Sequence, residues 1–185
     1  ARSVRPRPNA PRALIERMLA SVVITHLRYH QWAAGQVLEE TVPLPAEQLV
    51  KPLGGSFGSV YETLAHMYQA DCIWLDRLNG RPSGQLADYE APGCTYELQI
   101  AWTETLAQMV TWAEGLAEAD WLGEMSYKTL KGLAYETPRW QMVLHVVNHG
   151  SHHRGQITNM LRQLGIKPRN LDLIGFYRNK PPAVA

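Results

Sequence analysis

Cysteine is nearly absent: Cys72 and Cys94 are the only two in 185 residues, too few for a disulfide framework. Long apolar runs are missing as well. No stretch reaches the 18 residues a transmembrane helix needs, and the first residues lack the apolar core of a secretory signal. Together these absences predict a reducing, cytoplasmic setting without a membrane partner. Neither charge sign is in excess. Lys plus Arg is 18 and Asp plus Glu is 17, a formal net charge of +1. Arg2, Arg5, Arg7 and Arg12 all fall in the first twelve residues, beside three prolines. Without them the remainder is mildly acidic, which gives no electrostatic footprint for nucleic acid. Residues 1–12 read as a disordered basic lead-in, and residues 13–185 as one domain of ordinary size.

What is present is amphipathic and helical. Ile15, Met18, Leu19, Val22, Tyr29, Trp32 and Ala33 recur at three- and four-residue steps and predict a first helix over 13–40. Ser59 followed by Glu62 has the spacing of a capping box. The second helix then runs to Asn79-Gly80. A third spans about 95–117, with Leu98, Trp102, Leu106, Met109 and Leu116 on its stripe. A fourth takes Thr137 as N-cap, Pro138 as first residue and Gly165 as stop. Short alternating runs around Lys131-Gly132 predict a small hairpin or irregular insert between helices three and four. The expected fold is all-α, an antiparallel four-helix bundle. The 80–92 and 121–136 connections are long for such a bundle, and long loops are often functional.

Seven histidines are present, and four of them, His145, His149, His152 and His153, lie within nine residues of the fourth helix. On a helical wheel with His145 at zero, the apolar stripe of Met142, Val143, Ile157, Met160, Leu161 and Leu164 centres near about 100°. His149 at about 40° and His153 at about 80° fall inside or at the lip of that stripe; His145 and His152 flank it. Imidazoles at i and i+4 have Cβ atoms about 5–6 Å apart, which suits two ligands of one metal ion at about 2.0–2.1 Å. A third ligand must come from another helix. His26, His30 and His66 are the candidates, and periodicity slightly favours His26 without settling the choice. Glu62, one turn before His66, or Asp71 could orient such a ligand.

The string Asn148-His149-Gly-Ser-His152-His153-Arg154-Gly155-Gln156 resembles the motif of the DinB-like superfamily. So do Tyr29-His-Gln-Trp32, Gly55-Ser56-Phe57-Gly58-Ser59, Thr63-Leu64-Ala65-His66-Met67 and Asp71-Cys-Ile-Trp74. The resemblance covers nearly all of the chain past residue 12. It implies an antiparallel four-helix bundle with a divalent metal on three histidines, one from helix two and two from helix four. Carried over by motif, these are His66, His149 and His153. His26 then becomes a pocket residue, and a homodimer is expected.

Three imidazoles leave coordination positions open for water or substrate, the arrangement of a catalytic metal. Zn and Ni both suit imidazole. Such an ion can lower the pKa of a bound water or a bound thiol. Relatives in the superfamily look like thiol-dependent enzymes, so the expected function is a metal-dependent S-transferase acting on a small-molecule thiol and an electrophile. Gln156, Asn148 and Tyr61 are candidates for positioning substrate. Cys72, on an apolar helix, reads as a small hydrophobe rather than a nucleophile. A hydrolase at the same metal is the first alternative, weakened because neither HExxH nor HxxEH occurs. A non-catalytic metal-binding stress protein is the second. A ferritin-like di-iron site is disfavoured because there is no Glu-x-x-His pair.

Overall fold

The computed structural model describes residues 10–83 and 93–179. Four long helices carry the fold: α1 (Ala10–Thr41), α3 (Val60–Leu78), α4 (Thr95–Glu114) and α5 (Arg139–Gln163). Two short helices not expected from sequence, α2 (Ala46–Leu49) and α6 (Leu173–Asn179), complete the helical set among the described residues. A 3-10 turn at Glu118–Leu122 leads into the hairpin β1 (Glu124–Lys128) and β2 (Ala134–Pro138). The hairpin pairs antiparallel from Glu124 opposite Pro138 to Lys128 opposite Ala134, so the predicted insert is a two-stranded sheet.

Each long helix packs against two others: α1 on α4 and α5, and α3 on α4 and α5. Two core clusters set their directions. One joins Ala34, Val37 and Leu38 with Val60, Leu64 and Met67, Leu98 and Trp102, and Ile157, Met160 and Leu161. The other joins Ala20, Val23 and Leu27 with Leu75 and Leu78, Met109 and Ala113, and Met142, Val143 and Val146. Hence α1 and α5 run one way and α3 and α4 the other. The expected antiparallel packing holds for α1 with α4 and for α3 with α5, whereas α1 with α5 and α3 with α4 are parallel neighbours. Because α3 and α4 share a direction, the C-terminus of α3 and the N-terminus of α4 lie at opposite ends of the helices, about 28 Å for nineteen residues at 1.5 Å each. That explains the long 80–92 segment, most of which (84–92) lies outside the described residues.

Several boundaries move. α1 opens at Ala10, inside the predicted lead-in; the rest of that lead-in, residues 1–9, lies outside the described residues, as do 180–185. Ser59 caps α3 as predicted, its side chain accepting from Glu62 N. Thr137 does not cap α5: it pairs with Met125 in the sheet, and Pro138 takes the N-cap position without a side-chain cap. α4 ends at Glu114 rather than 117.

The largest correction concerns the phase of α1. Ile15, Met18 and Val22, predicted to face the core, are 50–61% exposed. The buried face is Ala20, Val23, Leu27, His30, Ala34, Val37 and Leu38. That face holds several small residues and a histidine, so it has little apolar contrast for periodicity to detect. Tyr29 and Trp32 are covered by Phe176 of α6, with ring centroids 5.8 and 5.6 Å away.

Candidate metal centre

His66 of α3 and His149 and His153 of α5 meet at one point. His149 Nε2 lies 3.2 Å from His66 Nε2 and 3.1 Å from His153 Nε2. One ligand atom from each of the three falls within 4.8 Å of the others. Two nitrogens bound to one ion at about 2.05 Å and a tetrahedral angle stand about 3.3 Å apart. The donor set and its spacing therefore fit a divalent transition metal held by imidazole.

The surroundings prepare these rings as ligands. Burial, reinforced by the neighbouring His153, lowers the pKa of His66 to about 4. Burial, with His153 and His66 beside it, lowers that of His149 to about 4. Burial lowers His153 as well. Near neutral pH all three present a lone pair rather than a charge. His153 is oriented further by Gln156. The amide nitrogen of Gln156 donates to Ser56 Oγ and His152 Nε2, each at 3.0 Å. Its oxygen therefore faces His153 Nδ1 at 3.1 Å and accepts from it, leaving Nε2 free. Gln156 thus fixes the orientation of the His153 ring.

The glycine-rich loop before α3 closes one side. Gly54, Gly55 and Gly58 have φ near +80°, a region that side chains with a Cβ rarely enter. Leu53 N bonds to Gly58 O and folds the loop back. Phe57 is thereby stacked on His66 with centroids 3.9 Å apart, and lies 5.5 Å from His153. His145 and His152 flank the trio as the wheel predicts. Both are exposed, with rings 6.0 Å from His149 and 4.9 Å from His153 respectively.

The remaining candidates lie elsewhere. His26 is half-buried, bonds Val22 O through Nδ1 and sits 6.5 Å from Tyr177 of α6. Tyr61 lines a separate cavity with Leu49 and Cys94, and burial raises its pKa. Asn148 is exposed on α5. Cys72 contacts Thr105 at 3.8 Å, and burial raises its thiol pKa, the opposite of nucleophile activation. Glu62 serves the helix cap, receiving Ser59 Oγ at 3.2 Å, and does not orient His66.

Asp71 belongs to a network that the sequence reading missed. Its Oδ2 accepts from His30 Nε2 at 3.0 Å and from Trp102 Nε1 at 2.8 Å. Arg154 Nη1 donates to His30 Nδ1 at 2.9 Å. One residue from each long helix thus meets in the core, with His30 at 0% and Arg154 at 2% exposure. Arg154 adjoins His153, and Asp71 follows His66 by five residues, so the network ties together the two helices that carry the trio. The legible signal was Arg154 itself, a charge placed by the wheel beside Val143 and Leu161.

The histidine pKa values set a pH window. A histidine takes up its proton near pH 6.5 in the unfolded chain, but His66 and His149 do so only near about 4 when folded. Protons therefore bind the unfolded state first. Stability of the metal-free protein is expected to be full above about pH 6.5 and to fall as pH drops toward about 4. Denaturant midpoints between pH 7.5 and 4.5 measure this, and His66→Ala/His149→Ala should show a shallower decline. An equal decline in that variant would assign the effect to other groups.

The DinB family model matches residues 18–182. The chain is 26% identical over 145 residues to Protein DinB of Bacillus subtilis (strain 168), covering 74% of this chain and 83% of the relative. It is also 26% identical over 135 residues to the protein YizA of the same organism, covering 71% and 81%. A crystal structure of a DinB-like protein from Bacillus cereus ATCC 10987 superposes with a TM-score of 0.61 at 19% identity, covering 77% of this chain and 91% of that one. A family match over almost the whole chain, joined to a shared fold and the histidine motif on α5, makes this protein a member of the DinB family.

Proposed function

We propose that this protein is a metal-dependent thiol S-transferase that holds Zn or Ni on His66, His149 and His153. The convergence of three imidazole Nε2 atoms carries the proposal. A divalent ion held there supplies a Lewis acid that lowers the pKa of a small-molecule thiol. The protein's part is binding and orientation. The three rings stay uncharged near neutral pH, Gln156 fixes His153, and Phe57 shields the His66 face from water. Three protein ligands leave room for substrate beside them. The two free cysteines and the absence, among the described residues, of a helix long and apolar enough to cross a membrane accord with a reducing cytoplasm. A homodimer is part of the same reading.

Metal analysis after dialysis tests the ligand set. Wild type should retain about one ion per chain, and His66→Ala, His149→Ala and His153→Ala should each lose it. Equal metal in all four proteins would sink the assignment. Gln156→Leu should weaken the metal by about 10–100-fold, the usual effect of removing a ligand's hydrogen-bond partner. Activity is tested separately with cellular thiols and monochlorobimane. A metal-loaded protein that conjugates none of them would leave the metal site and reject the transferase.

A further inference from the structure

α5 presents a second face. His149, His153 and Gln156 gather on one side, while Ser151, Gly155, Thr158 and Arg162 line a cavity on the other, roughly 180° away on the wheel. The cavity measures about 510 Å³, opens to solvent, and is walled on its far side by Tyr29 and residues 168–173. That volume is in the range of small-molecule sites. Ser151 and Gly155 belong to the same motif as the histidines, yet the three-histidine cluster does not use them.

Arg154 forms part of the cavity wall. It is 2% exposed, and its guanidinium carbon lies 5.3 Å from the centre of the Tyr29 ring. It donates to His30 Nδ1 at 2.9 Å and to Ser151 Oγ at 2.8 Å, and neither acceptor is an anion. No ion pair joins Arg154 to a carboxylate among the described residues; the hydrogen-bonded path to Asp71 runs through His30, and Asp71 otherwise acts on Arg154 only through space. A buried charge without an adjacent counter-charge is costly. Two more guanidiniums line the same space. Arg169 is held by Glu39 and Gln36, and Arg162 is exposed. Asp172 is the single acid lining the cavity among the described residues, against three guanidiniums of which Arg169 is paired with Glu39. Small side chains at Ser151, Gly155 and Thr158 keep the space open.

We propose that this cavity binds the carboxylate or phosphate group of a small molecule, with Arg154 as its buried counter-charge and Arg162 and Arg169 at the rim. Guanidinium groups suit both anions through paired N–H donors. The site is separate from the metal centre and stands whether or not the chain is a transferase.

Calorimetric titration of the full chain with inorganic phosphate, and separately with malonate, tests it. Saturable binding of either anion at one per chain is expected, and the anion that binds names the group. Arg162→Glu reverses a rim charge, and Thr158→Leu fills the cavity. Each should weaken binding at least tenfold while metal content stays at the wild-type value. Absence of saturable binding by both anions, or wild-type affinity in both variants, would overturn the proposal and leave the Arg154 charge balanced through His30 by Asp71 alone.

Discussion

Asp71→Ala is expected to destabilise the metal-free protein by about 3–5 kcal/mol, because two buried donors lose their acceptor at once. The carboxylate accepts from His30 and Trp102 on two different helices. Its removal leaves both donors buried without an acceptor, and each such orphan costs about 1–3 kcal/mol. It also leaves Arg154 buried with no acidic group behind His30. Asp71→Asn keeps an acceptor but loses the charge, so its loss should be smaller. In a double-mutant cycle, Asp71→Asn combined with Arg154→Met should destabilise by less than the sum of the two single changes, because both act on one network. Urea unfolding measures all of these. A loss under 1 kcal/mol for Asp71→Ala would show that water replaces the carboxylate and that the network does not tie the helices together.

Gly150→Ala is expected to destabilise the protein by about 3 kcal/mol, although alanine is the better helix former by about 1 kcal/mol. A Cβ at position 150 would stand 2.3 Å from His30 Cε1, 2.4 Å from His30 Nδ1 and 2.8 Å from Arg154 Nη1. The His30 ring cannot retreat, since both of its nitrogens are hydrogen-bonded. Overpacking of this kind costs about 1–3 kcal/mol, and displacing the ring also breaks its bond to Arg154, worth about 1.5–3 kcal/mol for a charged donor. Gly155 on the same helix is the control, because a Cβ there meets nothing within 4 Å. Gly155→Ala should leave stability unchanged or raise it by up to about 1 kcal/mol. The thermal unfolding midpoint should therefore fall in Gly150→Ala and hold or rise in Gly155→Ala. Gly150 lies between His149 and His153, so the clash should also weaken metal retention in Gly150→Ala.

These two positions clarify the α5 motif. Read along the chain, His149-Gly-Ser-His-His153-Arg154-Gly155-Gln156 looks like a metal motif with spacers. In the fold it serves three purposes. His149 and His153 meet His66, Gln156 orients His153, and Gly150 with Arg154 admits and holds His30. Glycine at 150 is required by the neighbouring helix, which sequence spacing does not reveal.

The sequence alone determined the four long helices, the Ser59 cap, the hairpin around Gly132 and the inward phase of the α5 histidines. Each of these depends on residues near one another in the chain: a repeat of three and four, a capping pair, a turn. Local pattern left open which distant histidine joins His149 and His153, and its slight preference for His26 rested on a misphased α1; the motif resemblance pointed to His66 instead. Leu14, Ile15, Met18 and Val22 supply the strongest apolar repeat at the start of α1, yet all four are exposed. The buried stripe is alanine-rich, and its histidine is made tolerable only by Asp71 and Arg154 from other helices. Helix direction was also beyond local pattern, because amphipathic stripes do not state whether neighbours run parallel. Only the tertiary structure decided that the three Nε2 atoms of His66, His149 and His153 converge, that His30 lies in the core, and that α5 has a cavity behind the histidine face. The physical reason is common to all three: a buried polar side chain is stable only with partners contributed by distant parts of the chain.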